Sequence, residues 1–273
     1  MERLHLLLVG IDGLRLDLAT EDRAPHLRGL MARGTTTRMT MPVPTISGPG
    51  WATLLTGASH AEHGVVDNTF VGSRLAGIPD LLSLAYYADP TRTTFAAAAW
   101  PPLVDPAGVG PVIHTREEQR RAERHRVIVR DGETYGYRTT DAEIADFAVA
   151  GLFAAGPDVS FVYCSGVDEA GHVHGAVSAQ YAEAVRRTDA HLGRMLAVVD
   201  HRAQAGERWL VAVTTDHGHV GGGGHGGGEP EVTASFVVRA SWNAEVDPWP
   251  DEIEPTELTP RLLRALTPEA LRG

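Results

Sequence analysis

This chain reads as an α/β protein with a mostly parallel central sheet and helices on both faces. Three features say so. Short continuous apolar runs, as in strands buried on both faces, alternate with longer segments of helical spacing. The 273 residues are 43 % hydrophobic and 22 % charged, a composition that sustains one large core and excludes a disordered or fibrous chain. No internal repeat and no Pro-, Gly- or Ser-rich linker divides the chain, so a single domain over 1–273 is expected.

The elements run in order. Residues 4–10 are an apolar run closed by Asp12-Gly13, a buried strand. Residues 25–33 place His26, Leu27, Leu30 and Met31 at helical spacing and stop at Gly34. Residues 35–41 are rich in Thr and read as a second strand, and 51–56 start a helix after a Gly/Pro turn. Residues 81–87 are helical, 93–99 a strand, and Trp100-Pro101-Pro102 breaks it. Residues 103–138 are polar and carry Arg116, Arg120, Arg121, Arg124, Arg126 and Arg130, so a small cap or lid is expected at about 72–138. Residues 140–154 form an amphipathic helix with a Thr/Asp start. Then come a buried strand at 159–164, a long helix at 178–205, strands at 209–215 and 233–239, and a last helix at 259–266.

Charge and cysteine usage narrow the function. Lys and Arg number 24 against 35 Asp and Glu, a net charge of −11, and every one of the 24 is Arg. An acidic chain without a basic block is a poor binder of nucleic-acid polymers or anionic membranes. One cysteine, Cys164, excludes an intrachain disulfide. No apolar stretch approaches the ~18–20 residues of a membrane span, and no signal-peptide pattern is legible. A cytoplasmic enzyme acting on a small molecule is therefore expected; the oligomeric state is not legible.

In open α/β sheets, ligands bind beyond the carboxyl ends of the strands. Asp12 comes just after the first strand. Asp168 comes after the strand at 159–164, with His172 four residues on. Asp216 and His217 come after the strand at 209–215, and His225 sits in the glycine tract 221–228. Three ionised carboxylates at close range repel, and burial adds to the cost. Two divalent cations bring four positive charges against three carboxylates and one deprotonated nucleophile. Mixed Asp/His ligation suits Zn2+, with Mn2+ or Fe as alternatives. The nucleophile is sought in Pro44-Thr45-Ile46-Ser47-Gly48-Pro49-Gly50-Trp51, which opens a helix whose N-terminal dipole favours an alkoxide. Ser47 is the candidate and Thr45 its competitor. A bland reading makes Ser47 a helix cap, His63 and Asn68 loop-ordering groups, and the arginines at 116–130 a solvated face.

Taken together, "GIDGLRLD" around Asp12, "PTISGPGWATLLTG" around Ser47, "HGVVDN" from His63 to Asn68, "GVDEAGH" through Asp168 and His172, "TTDHG" around Asp216 and "GGHGG" around His225 resemble the alkaline phosphatase superfamily, within it the type I phosphodiesterase / nucleotide pyrophosphatase branch. The resemblance implies an alkaline-phosphatase-like fold and a two-zinc site. Asp12, Ser47, Asp216 and His217 would bind one ion, and Asp168, His172 and His225 the other. It implies a Ser47 nucleophile, a phosphoseryl intermediate cleaved by water, and a small soluble phosphoester or phosphoanhydride as substrate. Gly48, Gly50, Trp51 and Asn68 would lie at the substrate, and His174 and His219 lie near the ligands, as substitutes for them or as groups that support them from behind. A phosphomonoesterase on the same ions is the alternative; a phosphotransferase or a silent metal-binding scaffold fits less well. Gly50 stands where the family has an Asn. The missing Arg after Ser47-Gly48-Pro49-Gly50 argues against a formylglycine sulfatase. The chain lacks the Gly-x-Ser-x-Gly elbow of an α/β-hydrolase.

Overall fold

Leu6, Leu7 and Leu8 are wholly buried at the middle of the molecule, as a run with no polar alternation requires. They belong to β1 (Leu4–Ile11), the central strand. The structure, a computed structural model, describes residues 3–267; the ends of the domain expected over 1–273 lie outside them. The other strands are β2 (Thr35–Thr40), β3 (Thr94–Ala98), β4 (His125–Val129), β5 (Val159–Cys164), β6 (Arg208–Thr214) and β7 (Ala234–Trp242). Together they form a 7-stranded sheet in the order β2-β7-β6-β1-β5-β3-β4. Only β7 runs against its neighbours β6 and β2; the remaining pairs are parallel.

The longer helices cover both faces. α1 (Pro25–Arg33), α2 (Ser47–Thr56), α3 (Leu81–Ala88), α4 (Tyr137–Ala155), α5 (Gly166–His174), α6 (Ala179–Gln204) and α7 (Leu258–Leu266) are introduced in chain order. Helices α1, α4 and α6 pack together on one face, and α2, α3 and α7 on the other. No described helix is long and apolar enough to cross a membrane.

One expectation is corrected. The stretch at about 72–138 is not a separate cap, because it supplies β3 and β4 to the sheet and α3 to its face. β4 is short and half-exposed at the sheet edge, and its flanking arginines hide it from a hydrophobicity reading. Arg116 turns inward, its guanidinium reaching Thr94 Oγ1 at 2.6 Å and His125 Nδ1 at 2.9 Å. Arg120 and Arg121 pair with Glu117, and Arg130 with Glu143.

Register positions the chemistry. Ile11 lies opposite Cys164 and Gly10 opposite Thr214, so β6, β1 and β5 end side by side. The residues just beyond these three ends are Asp12, Asp216-His217 and, after a short turn, Asp168 on α5.

Candidate active site

Asp12 is fully buried, and its two oxygens have different surroundings. Oδ2 accepts from Trp51 Nε1 at 2.9 Å and from the Tyr163 hydroxyl at 2.5 Å. Oδ1 has no hydrogen-bond partner among the described residues and stands 3.4 Å from His217 Nε2. Gly10 makes this possible: a Cβ there would fall 2.5 Å from the Trp51 ring, so only glycine lets the indole lie over β1 and reach Asp12.

Asp216 is also fully buried, and neither of its carboxylate oxygens has a hydrogen-bond partner among the described residues. Its Oδ2 lies 3.3 Å from His217 Nε2. His217 Nδ1 is 3.1 Å from the Gly218 carbonyl. Because a carbonyl only accepts, Nδ1 carries the proton and donates. Nε2 is then a lone pair, directed at Asp12, Asp216 and Ser47 Oγ, the last at 3.3 Å. Ser47 is the first residue of α2, and the bare Gly50 one turn on allows the helix to approach, since a Cβ there would touch the Asp216 side chain at 3.0 Å.

Asp168 and His172 lie one turn apart on α5, with Asp168 Oδ2 3.5 Å from His172 Nε2. The glycine tract brings His225 back against them. Its Nδ1 donates to the Thr45 carbonyl at 2.7 Å, so its Nε2 is again a lone pair, 2.8 Å from His172 Nε2 and 3.6 Å from Asp168 Oδ1. Thr45, the competing nucleophile, is engaged in this loop: Oγ1 donates to the Gly227 carbonyl at 2.8 Å and accepts from Gly226 N–H at 3.0 Å. The His217 and His225 rings stack at 3.7 Å.

The charge state is set by burial. Desolvation, then the Asp12 charge, pushes the Asp168 carboxyl up to about 7. Desolvation, then Asp12 and Asp168, drives Asp216 well above the carboxylate range. Desolvation holds the His217 imidazole far below its ordinary value, with His225 and His219 adding to it, and also lowers His172. Neutral imidazoles thus aim lone pairs at carboxylate oxygens, and among these Asp12 Oδ1 and both oxygens of Asp216 have no donor among the described residues. Lone pair facing lone pair is stable only with a proton or a cation between them. Most of these separations are 3.3–3.6 Å, long for hydrogen bonds, and match the edge of a tetrahedron with arms of about 2.0–2.1 Å, roughly 3.3 Å. Two donor groups emerge, Asp12, Asp216 and His217 in one and Asp168, His217, His219 and His225 in the other. These residues fit divalent cations.

A cleft of about 270 Å3 opens at Ser47, lined by Asn68, Trp100, Glu133, Tyr137 and His172 among others. Asn68 is one of the lining residues, and its Oδ1 accepts from Gly48 N–H at 2.8 Å, so that N–H is already engaged. Trp51 and Gly50, expected at the substrate, do not line the cleft; the indole is wholly buried on Asp12 and Gly50 packs on Asp216. His63 holds the loop beneath, accepting from Val65 N–H at 3.0 Å and facing Thr53 Oγ1 at 3.0 Å. A larger cleft of about 540 Å3 among α4, α5 and α6 contains none of the expected ligands. Sequence reasoning missed Tyr163 and left His219 outside the ligand set. The signal for Tyr163 is a phenol tip in a largely apolar buried strand, which needs a partner.

Residues 6–119 and 96–225 match the family described as type I phosphodiesterase / nucleotide pyrophosphatase. An 89-residue stretch, 33 % of this chain, is 29 % identical to GPI ethanolamine phosphate transferase 1 of Yarrowia lipolytica (strain CLIB 122 / E 150), and covers 9 % of that protein. Phosphonoacetate hydrolase from Sinorhizobium meliloti 1021 superposes with a TM-score of 0.57 at 16 % identity, over 80 % of this chain and 57 % of that one. Human ectonucleotide pyrophosphatase / phosphodiesterase 5 superposes with a TM-score of 0.68 at 16 % identity, over 96 % and 94 %. At these identities the structural likeness is one of fold. The chain spans little more than half of the phosphonoacetate hydrolase and a small part of the transferase.

Proposed function

This chain belongs to the type I phosphodiesterase / nucleotide pyrophosphatase family, and from that premise we propose that it is a metal-dependent phosphoric ester hydrolase with Ser47 as nucleophile. One observation carries the reading: the lone pairs of His217 and His225, fixed by backbone carbonyls behind them, converge with three carboxylates beside the Ser47 hydroxyl. Asp12, Asp216, His217 and Ser47 would hold one divalent cation, and Asp168, His172 and His225 the second. Zinc suits this donor set. When bound, the cations lower the pKa of a coordinated hydroxyl and neutralise charge on the phosphoryl oxygens.

The chain's own residues supply the rest. Helix α2 presents Ser47 Oγ at its first turn, where the dipole favours an oxyanion. Ser47 Oγ loses its proton and attacks phosphorus, the new Oγ–P bond forms, and the P–O bond to the leaving alcohol or phosphate breaks, the departing oxygen taking a proton from water. Water then cleaves the Oγ–P bond, restoring the serine and releasing the phosphoryl product. Asn68, held against Gly48, has its Nδ2 amide to offer a substrate oxygen in the cleft. The substrate is a small phosphodiester or phosphoanhydride.

The test compares bis-p-nitrophenyl phosphate with p-nitrophenyl phosphate after loading with zinc. Faster release from the diester, lost in Ser47→Ala, is expected. Preference for the monoester would replace the diesterase reading by a phosphatase. Wild-type turnover in Ser47→Ala would overturn the nucleophile assignment.

A further inference from the structure

Four imidazoles crowd the ends of β1, β5 and β6, one more than the ligand set uses. The fourth, His219, is wholly buried. Its Nε2 lies 2.7 Å from Asp168 Oδ1, a hydrogen-bond distance and clearly shorter than the 3.3–3.6 Å that separates most of the facing ligand atoms. We propose that His219 is a positioning residue: its Nε2–H donates to Asp168 Oδ1 and holds the carboxylate with Oδ2 turned to His172. This rests on the two-cation reading of the site.

The surrounding backbone is built around that ring. Gly13, at φ +66°, leaves a space where a Cβ would stand 2.8 Å from His219 Nε2. Gly171, on α5, leaves another where a Cβ would stand 2.6 Å from the same atom. Two glycines from different elements thus stand aside for one imidazole, at the edge where it meets Asp168. The frame is pinned as well. Arg15 donates through Nη1 to the His219 carbonyl at 3.1 Å. The Tyr181 hydroxyl donates to the Gly13 carbonyl at 2.8 Å and accepts from Arg15 N–H at 2.9 Å. Displacing His219 therefore requires moving backbone that is held from both sides. A donor on one oxygen of a ligating carboxylate fixes its rotation and so the direction of its remaining lone pairs.

The variants are His219→Leu, which removes the donor, and His219→Gln, whose amide N–H reaches about as far as Nε2–H. Apoproteins are checked by circular dichroism and titrated with zinc and with cobalt(II). In His219→Leu, affinity at one of two sites is expected to fall about 10–100-fold, with two ions still bound at saturation. His219→Gln is expected to restore near-wild-type affinity and leave the cobalt absorption unchanged. Wild-type affinity in His219→Leu would reduce the ring to packing. A stoichiometry of one in His219→Leu, or an altered cobalt absorption in His219→Gln, would make His219 a ligand and overturn the proposal. Should His219→Leu not fold, the affinity and absorption of His219→Gln decide alone: unchanged values support positioning and altered ones refute it. A wild-type protein that binds neither ion would sink the two-cation reading itself.

Discussion

Replacing Tyr163 by Phe removes one oxygen from the interior and one of the two donors that hold Asp12. The ring stays, because it packs edge-on against Trp51 at 5.2 Å and near Phe161 at 6.5 Å. The change falls on the carboxylate: Oδ2 keeps only Trp51 Nε1 at 2.9 Å, and Oδ1 has no hydrogen-bond partner among the described residues. A hydrogen bond to a charged group contributes about 1.5–3 kcal/mol. Loss of a partner behind a metal-ligating group typically lowers affinity about 10–100-fold, or roughly 1.4–2.8 kcal/mol. The effect should fall on one ion alone. Tyr163 bonds Asp12 and not Asp168, His172 or His225. Competition of the apoprotein against a chromophoric chelator reads the two binding events separately. Tyr163→Phe should weaken one by the stated factor and leave the other near wild type. Wild-type affinity at both sites in the variant would refute the view that this hydroxyl orients a ligand.

Asp216→Ala and His172→Ala should each abolish turnover and reduce bound metal, measured by activity and metal analysis on the same sample; wild-type values of both would break the site assignment. A chelator should lower the melting temperature by several degrees, because an ion bound only by the folded state at 100 times its dissociation constant stabilises by about 2.7 kcal/mol; an unchanged melt would count against a paired-ion core. Metal affinity should rise with pH through about 7. Asp168 must lose a proton held in the metal-free protein, whereas His217 and His172, with lowered values, are already neutral. The metal-free fold should show the opposite trend. The folded Asp168 value of about 7 exceeds the ordinary 3.8, so its contribution is full below about 4 and is lost as pH rises through 7, which a pH series of apoprotein melts would read.

Much of this candidate site was legible because its carboxylates and imidazoles stand where strands end. Asp12, Asp168 and Asp216 each stand shortly after an apolar run, and register then brings the ends of β6, β1 and β5 together. The features that escaped depend on contacts between elements distant in sequence. Trp51 reads as a residue at the substrate because it lies four positions after Ser47; only the third dimension shows it over Gly10 and against Asp12. β4 escaped for the reverse reason. A short edge strand needs hydrophobic residues on one face only, and arginines beside it look like a solvated loop.

A cation would also account for the buried or nearly buried carboxylates and imidazoles at the ends of three adjacent strands. Among the described residues the fully buried Asp216 has no donor, and Asp12 has donors on one oxygen only. An unpaired buried carboxylate is strongly unfavourable, so the fold must recover that cost through protonation or a bound cation. Protonation of Asp216 satisfies one oxygen at best. It leaves His217 Nε2, its Nδ1 proton committed to the Gly218 carbonyl, facing the Asp12 oxygen that has no donor. A cation meets Asp12, Asp216 and His217 together. On the reading proposed above, the same set of atoms that is costly without a cation favours binding one, and Ser47 Oγ, 3.3 Å from that Nε2, stands beside it.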